Sequence, residues 1–388
     1  MTLGSCSIVA ESPLGMRHRE LAMKAFDQAA VRLVGRWLLL LLAYMLAAQT
    51  VIAAFMNNYG FRGDDERYGF QAMISGTAHR PFVYRVLMPV LVNAASALVP
   101  TPVQERLVAA ARDKLVEHEL VHGGDSQLAF KKLCTYMVLF VTLMLLPVGL
   151  RALAQVAYGP SLLADLSPPI AMLFLPLACS EGAYMYDFPE ILLATWCLIL
   201  LARGRLAPYY AVFILALLNK ESSALWLAFF IAFYSSRMAR RKVLVHLVMQ
   251  VGLAVLISAA VRWNFRDNPG GPVEVHLIAN LRAFAGLLPF IDLGDPYAPF
   301  LPAPEGVNIV VLFLIAFLCL SWWGEKPQEF RRALSYLFVA ILPLWLLFGF
   351  RGEIRVFFPL FPVVYILALH TLSRSDTPRV HAHVERRD

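Results

Sequence analysis

Charge is scarce in this chain. Only 16% of its 388 residues are Asp, Glu, Lys or Arg, while 59% are apolar and mean hydropathy is +0.62. A soluble globular domain carries about 25% charged residues, so that class is excluded. Polar–apolar alternation is lacking as well. The apolar segments are continuous, which excludes a membrane β-barrel. The motifs of soluble nucleotide and metal enzymes are also missing: no GxxxxGK[ST], no GxGxxG after a strand and no HExxH. The five cysteines, Cys6, Cys134, Cys179, Cys197 and Cys319, are scattered, mostly within apolar runs. They show neither metal-ligand spacing nor a disulfide pattern and read as small buried hydrophobes. Of the nine histidines, His118, His122, His381 and His383 form loose pairs without a cysteine or carboxylate frame, so no metal ligands are assigned. No internal repeat is visible, which counts against the inverted-repeat transporters.

What remains is a series of apolar runs, several near the ~20 residues a transmembrane helix needs. The fold class is therefore all-α, a polytopic transmembrane helical bundle. The run after residue 36 is too long for the core of a secretory leader and no small-residue cleavage site follows it. Residues 1–36 read as a cytoplasmic segment with a basic amphipathic helix over 17–36. A transmembrane domain over 37–372 and a cytoplasmic tail over 373–388 follow. The net charge of +7 fits basic cytoplasmic loops rather than nucleic-acid binding. RMARRK at 237–242 is the strongest inside signal. On this basis both termini are cytoplasmic, and the first outer loop (57–132) and a long loop (262–308) lie outside. Residues 82–99 and 101–121 are expected to lie along the outer surface; the alternative makes 86–99 a short span. The count is about ten spans, several of them short for a full crossing. Short spans ending in polar clusters point to helices that stop at a cavity within the protein.

The stretch Tyr59 to Pro89, YGFRGDDERYGFQAMISGTAHRPFVYRVLMP, is not a mere connector. It carries Asp64, Asp65 and Glu66, then Arg80 and Arg85 among aromatics. Further clusters are assigned to the same face: Glu181, Tyr186, Asp187 and Glu190; Asn219, Lys220 and Glu221; Arg351, Glu353 and Arg355. Asp64 or Asp65 fits a general base that accepts a proton from an attacking hydroxyl. Acids ahead of YGFQAM equally fit a helix cap. Arg80, Arg85, Lys220, Arg351 and Arg355 fit a phosphate cradle. They equally fit snorkelling, or local pairing of Arg351 or Arg355 with Glu353 and of Lys220 with Glu221. Asp187 before FPE fits a helix N-cap. Tyr184 and Tyr186 fit a sugar platform or an interfacial belt.

The acid-bearing loop RGDDERYGF, the helices after it and the short spans around a chamber resemble the GT-C superfamily of membrane glycosyltransferases. RPFVYRVLMP, NKESS and RGEIRVFFPLFP are similar to stretches of uncharacterised bacterial members. The resemblance implies a GT-C-like bundle with surface helices in the first outer loop. It further implies a polyprenyl-phosphate sugar donor, a lipid or glycan acceptor of the cell envelope, and Asp64 or Asp65 as the catalytic acid of the first loop. The chain departs from the family in having adjacent acids rather than Asp-x-Asp and no large outer C-terminal domain, which leaves a divalent metal open. The expected activity is sugar transfer at the outer face of a bacterial inner membrane, among membrane lipids and without nucleic acid. The rival readings are a transporter or flippase of a lipid-linked or anionic solute, and a polysaccharide polymerase.

Overall fold

A computed structural model describes residues 13–58, 60–61, 65–117, 126–179, 182–286, 308–350 and 353–375. Among them the regular structure is helical throughout. The helices are α1 (Pro13–Asn58), α2 (Phe70–Ser75), α3 (Leu87–Ala97), α4 (Thr101–Glu117), α5 (Ser126–Tyr158), α6 (Leu162–Met172) and α7 (Leu175–Ala178). They continue as α8 (Asp187–Ala202), α9 (Leu206–Asn219), α10 (Leu227–Tyr234), α11 (Arg240–Asn264), α12 (Leu277–Phe284), α13 (Ile309–Leu320), α14 (Gln328–Phe348) and α15 (Phe361–Ser375). Two compact units are distinguished, Met1–Leu46 and Ala47–Asp388. The site described below lies in the second.

Five helices are long and apolar enough to cross a membrane: Val34–Asn57, Ser126–Tyr158, Arg240–Asn264, Gln328–Phe348 and the segment Ile354–Arg374. The pair α3 and α4 would add a sixth only if taken as one span bent by 106°. The other apolar helices fall short of a bilayer-spanning length. Pro168 and Pro169 sit inside α6, which stops at Met172.

α8 is the centre of the second unit. Phe188, Ile191, Ala194, Cys197, Leu198, Ile199 and Leu201 are all buried, so this helix is apolar on every side and packed on every side. α5 and α9 lie directly against it. The approach of α5 depends on Gly149, where a Cβ would come 3.1 Å from the Thr195 methyl. α11 is the opposite case. Leu244, Val245, Val248, Val255 and Leu256 are open, a face suited to hydrocarbon rather than water.

Helix ends are closed by side chains from elsewhere. Buried Asn280 donates to the carbonyls of Leu346 (3.0 Å) and Gly349 (2.7 Å), the end of α14. Buried Lys326 donates to the carbonyls of Leu318 and Leu367 and to the Thr371 hydroxyl. The Leu318 bond places a cation on the last turn of α13, where carbonyls lack helical partners.

The segment following α1 is clasped to residues 266–274. The Arg80 amide donates to the Pro269 carbonyl (2.8 Å) and its guanidinium to the Gly270 carbonyl (2.6 Å). Asn268 donates to the carbonyls of Gly76 and Ala78, both at 2.9 Å. Arg67 pairs with Glu274 at 2.5 Å. Gly270 has φ +90°, and a Cβ there would meet the Arg80 carbonyl oxygen at 2.6 Å. Gly270→Ala should therefore lose roughly 1–3 kcal/mol of stability. Gly271→Ala, whose Cβ meets nothing closer than 3.4 Å, should be close to neutral. Thermal melts of the detergent-purified variants measure both.

Candidate functional site

Three interruptions in the helices meet at one place. The first is the turn Ala183–Tyr186 that leads into α8. The second follows α9, where Lys220 is extended (φ −160°, ψ 130°) before a 3-10 turn over Glu221–Trp226. The third is the 3-10 segment Ile354–Leu360 before α15. Pro359 lies within that segment and supplies no amide hydrogen to an α-helical ladder. Each interruption carries ionisable side chains, and packing around α8 draws all three together.

Asp187 is the hub, and it is fully buried. Its Oδ2 accepts from the Tyr184 amide at 2.8 Å and from Arg355 Nη1 at 3.2 Å. Lys220 Nζ is 3.6 Å from its other oxygen. Lys220 makes its shorter contact, 2.7 Å, with Oε2 of fully buried Glu190. Arg355 Nη2 holds Glu353 at 2.8 Å. Arg85 donates to the Tyr186 hydroxyl and faces Glu221 at 3.8 Å. Burial works against the Arg85 charge, but the Tyr186 oxygen and Glu221 outweigh it, so the guanidinium stays ionised. Asn219 donates to the Tyr186 carbonyl at 2.9 Å and ties the second interruption to the first.

The cations also run along a short aromatic column. Tyr184 and Tyr186 are stacked, with centroids 5.2 Å apart and planes within 6°. The Arg355 guanidinium lies 4.5 Å from the Tyr184 ring and that of Arg85 lies 4.6 Å from the Tyr186 ring, both within cation–π range. Tyr68 packs edge-on against Tyr184 at 5.9 Å, and Phe82 packs against it at 6.1 Å. The segment after α1 thus abuts the column. Beside it lies a cleft of about 20 Å³ lined by Phe61, Tyr68, Phe70, Met73, Tyr184 and Met185, among others, which has room for about one water molecule.

Several polar atoms here have no hydrogen-bond partner among the described residues: Glu190 Oε1, Asn219 Oδ1, Ser223 Oγ, Glu221 Oε2, and Nε of both Arg85 and Arg355. Native interiors leave few such atoms, and a group of them in one place calls for an explanation.

The expected site residues therefore divide. Arg85, Tyr186, Asp187, Asn219, Lys220, Glu221, Glu353 and Arg355 are brought together. Asp64, Glu181 and Arg351 lie outside the described residues. Arg80 belongs to the clasp with Gly270. Asp65 lies in the turn before α2, where its Oδ1 accepts from the amides of Arg67 (2.8 Å) and Tyr68 (3.4 Å). Slight burial opposes ionisation of Asp65, but these bonds and the Arg67 charge outweigh it and hold the carboxyl below the usual carboxylate range.

Three local readings are corrected. The acids before YGFQAM do not cap α2, whose N-cap is Gly69. Asp187 is not the N-cap of α8; Tyr186 is, and the Asp187 carboxylate turns back to the Tyr184 amide. Lys220 pairs with Glu190 and Asp187, while Glu221 faces Arg85. Ser223 and Trp226 went unnoticed, although NKESSALW places a polar break between two apolar runs. Among the described residues no group of three or more His, Cys, Asp or Glu could hold a metal ion.

Removing one member of a buried ion pair costs about 3–5 kcal/mol, whereas replacing both by apolar groups is often neutral. Lys220→Met should therefore be strongly destabilising, and adding Glu190→Leu should recover much of the loss. A double-mutant cycle by thermal melting measures it, and simple additivity would show that the two charges are not coupled. No family model, curated protein or solved structure matches the chain.

Proposed function

We propose that the chain is an integral-membrane glycosyltransferase that moves a sugar from a polyprenyl-phosphate donor to a lipid or glycan acceptor. The observation that carries this reading is the meeting of Arg85, Lys220 and Arg355 around the stacked Tyr184 and Tyr186. Arginine forks and a lysine point charge suit a phosphate that leaves as an anion, and aromatic faces suit a sugar ring. Such preorganised cations act where charge develops in the transition state. The reading has a GT-C-like bundle in which the five long apolar helices and the shorter ones together make about ten crossings, with both termini cytoplasmic. The site then opens on the outer face of a bacterial inner membrane, where lipid-phosphate sugars rather than nucleotide sugars are the donors.

Asp65 is the base in this scheme, with neighbouring Asp64 as the other carboxylate of the same loop. Asp65 is three residues from Tyr68, which touches Tyr184. Backbone bonds and the Arg67 charge hold the Asp65 carboxyl below the usual carboxylate range, which favours its ionised form. A second reading, a proton-coupled transporter, is favoured by one observation. Glu190, Asp187 and Lys220 form a buried ionisable chain in an apolar helical core, as proton relays do.

Two measurements separate the readings. In membranes supplied with a polyprenyl-phosphate sugar, Asp65→Asn or Asp64→Asn should lower transfer by about 10²–10⁴-fold. Full transfer by both variants would remove the carboxylates as bases. With Asp65 as the base, wild-type transfer should hold steady as pH falls from 7 towards 5, because the group that must be ionised titrates below the usual carboxylate range. Lipid-phosphate-driven proton uptake into proteoliposomes, lost in Glu190→Gln, would instead favour the transporter.

A further inference from the structure

The two arginines of the site are held in the same way. Each fixes one guanidinium nitrogen to a buried group: Arg355 Nη1 to Asp187 and Arg85 Nη1 to the Tyr186 hydroxyl. Each offers a second nitrogen to a carboxylate further out. Arg355 Nη2 meets Glu353, whose side chain is 17% exposed, and Arg85 Nη2 meets Glu221, 35% exposed. The inner acids, Asp187 and Glu190, are fully buried. The carboxylates therefore form two layers, one locked into the core and one with access to water.

Counting both layers, three cations face four carboxylates, so the cluster has no surplus of positive charge. An anion added to it would find no net attraction. With Glu221 and Glu353 withdrawn, the same three cations face only Asp187 and Glu190, and the balance turns positive. Withdrawal is easy on these two alone. Glu221 sits at a long 3.8 Å from Arg85, with Oε2 unpartnered among the described residues. Glu353 has one close Arg355 contact and a weak 3.3 Å bond from the Phe350 amide. The Arg85–Glu221 pair, long and partly exposed, is of the kind that contributes little, typically under about 1 kcal/mol; the Arg355–Glu353 pair is more buried and closer, so its exchange depends on the greater charge of the ligand. A phosphate monoester offers an arginine fork more oxygens and more charge than a carboxylate does.

We propose that Glu221 and Glu353 are place-holders for the ligand's anionic group. A phosphate monoester takes their positions on Arg85 and Arg355, and the carboxylates swing out to water. The arginines stay on Tyr186 and Asp187 throughout. The exchange rests on the anionic-donor reading given above. It adds that the site keeps its cations neutralised until the ligand arrives. Unpartnered Nε of both arginines, Asn219 Oδ1 and Ser223 Oγ are further atoms available to the newcomer or its hydration.

The test measures binding of farnesyl phosphate, farnesol and inorganic phosphate to the full chain in detergent, by calorimetry, for wild type, Glu353→Gln, Glu221→Gln and the double variant. Thermal melts confirm folding. Each single substitution should tighten farnesyl phosphate binding roughly two- to fivefold, the worth of one competing pair of up to about 1 kcal/mol, and the double variant further, with farnesol unaffected. If wild type binds farnesyl phosphate over farnesol but neither substitution tightens it, the place-holder idea fails and the lipid-phosphate donor stands. If the substitutions tighten inorganic phosphate while farnesyl phosphate binds no better than phosphate alone, the exchange stands and the lipid donor fails. If no form binds any phosphate, both fail. Should one variant not fold, the other single substitution carries the same expectation.

Discussion

The site is built around a carboxylate in a place where a carboxylate is costly. Asp187 is fully buried at the start of α8, among helices that are otherwise apolar. An ionised acid there is tenable only with donors on both oxygens. One is local, the Tyr184 amide. The others are Lys220 and Arg355, from segments 33 and 168 residues further along the chain. The need to satisfy Asp187 therefore requires three chain interruptions to meet. Buried ion pairs rarely add net stability over apolar packing. A cluster of seven ionisable groups is hard to account for as a stabilising device, and that is the physical reason to look for chemistry in it.

The interruptions follow from the same requirement. A continuous α-helix from α9 into α10 would keep Lys220 on a helical course and leave no turn beside α8. Extended backbone at Lys220 ends the helix instead and frees peptide groups that a membrane interior would leave unsatisfied. Beside this break the Asn219 side-chain amide donates to the Tyr186 carbonyl and ties the two interruptions together. The clasp between the segment after α1 and residues 266–274 holds the other side. Arg67, Arg80 and Asn268 fix this region, and Tyr68 and Phe82, in the same segment, reach the tyrosine column.

Much of the architecture was legible because apolar runs are long and polar breaks are few. The all-helical class and the polar stretches of the cluster follow from hydropathy and from charge against an apolar background. Partner choice was not legible. The acid nearest Lys220 in sequence is Glu221, yet extended backbone at Lys220 separates the two side chains, sending one to Glu190 and the other to Arg85. Asp187 before Pro189 has the sequence of a helix cap, but tertiary donors outweighed the local bond. Arg80 and Arg85, five residues apart and equally basic, went to a backbone clasp and to the site respectively. Nothing short of the fold of residues 266–274 distinguishes them.

The small cleft bears on how the site works. A sugar-phosphate needs a cavity of a few hundred Å³, and the space beside Tyr184 is about 20 Å³. Under the proposed function, binding such a donor beside Tyr184 would have to move some of the walls of this cleft. Asp187, Glu190 and the stacked tyrosines are buried and tied into α8, so they are the fixed side. Phe61, Tyr68 and Phe70 belong to the segment after α1, and Tyr68 meets Tyr184 edge-on. Ring contacts can slide apart without stranding a charge, whereas separating Arg355 from Asp187 would leave a buried carboxylate short of a donor. The physics thus assigns the motion to the aromatic lid and the outer carboxylates. The inner ion pairs remain the part of the structure against which both move.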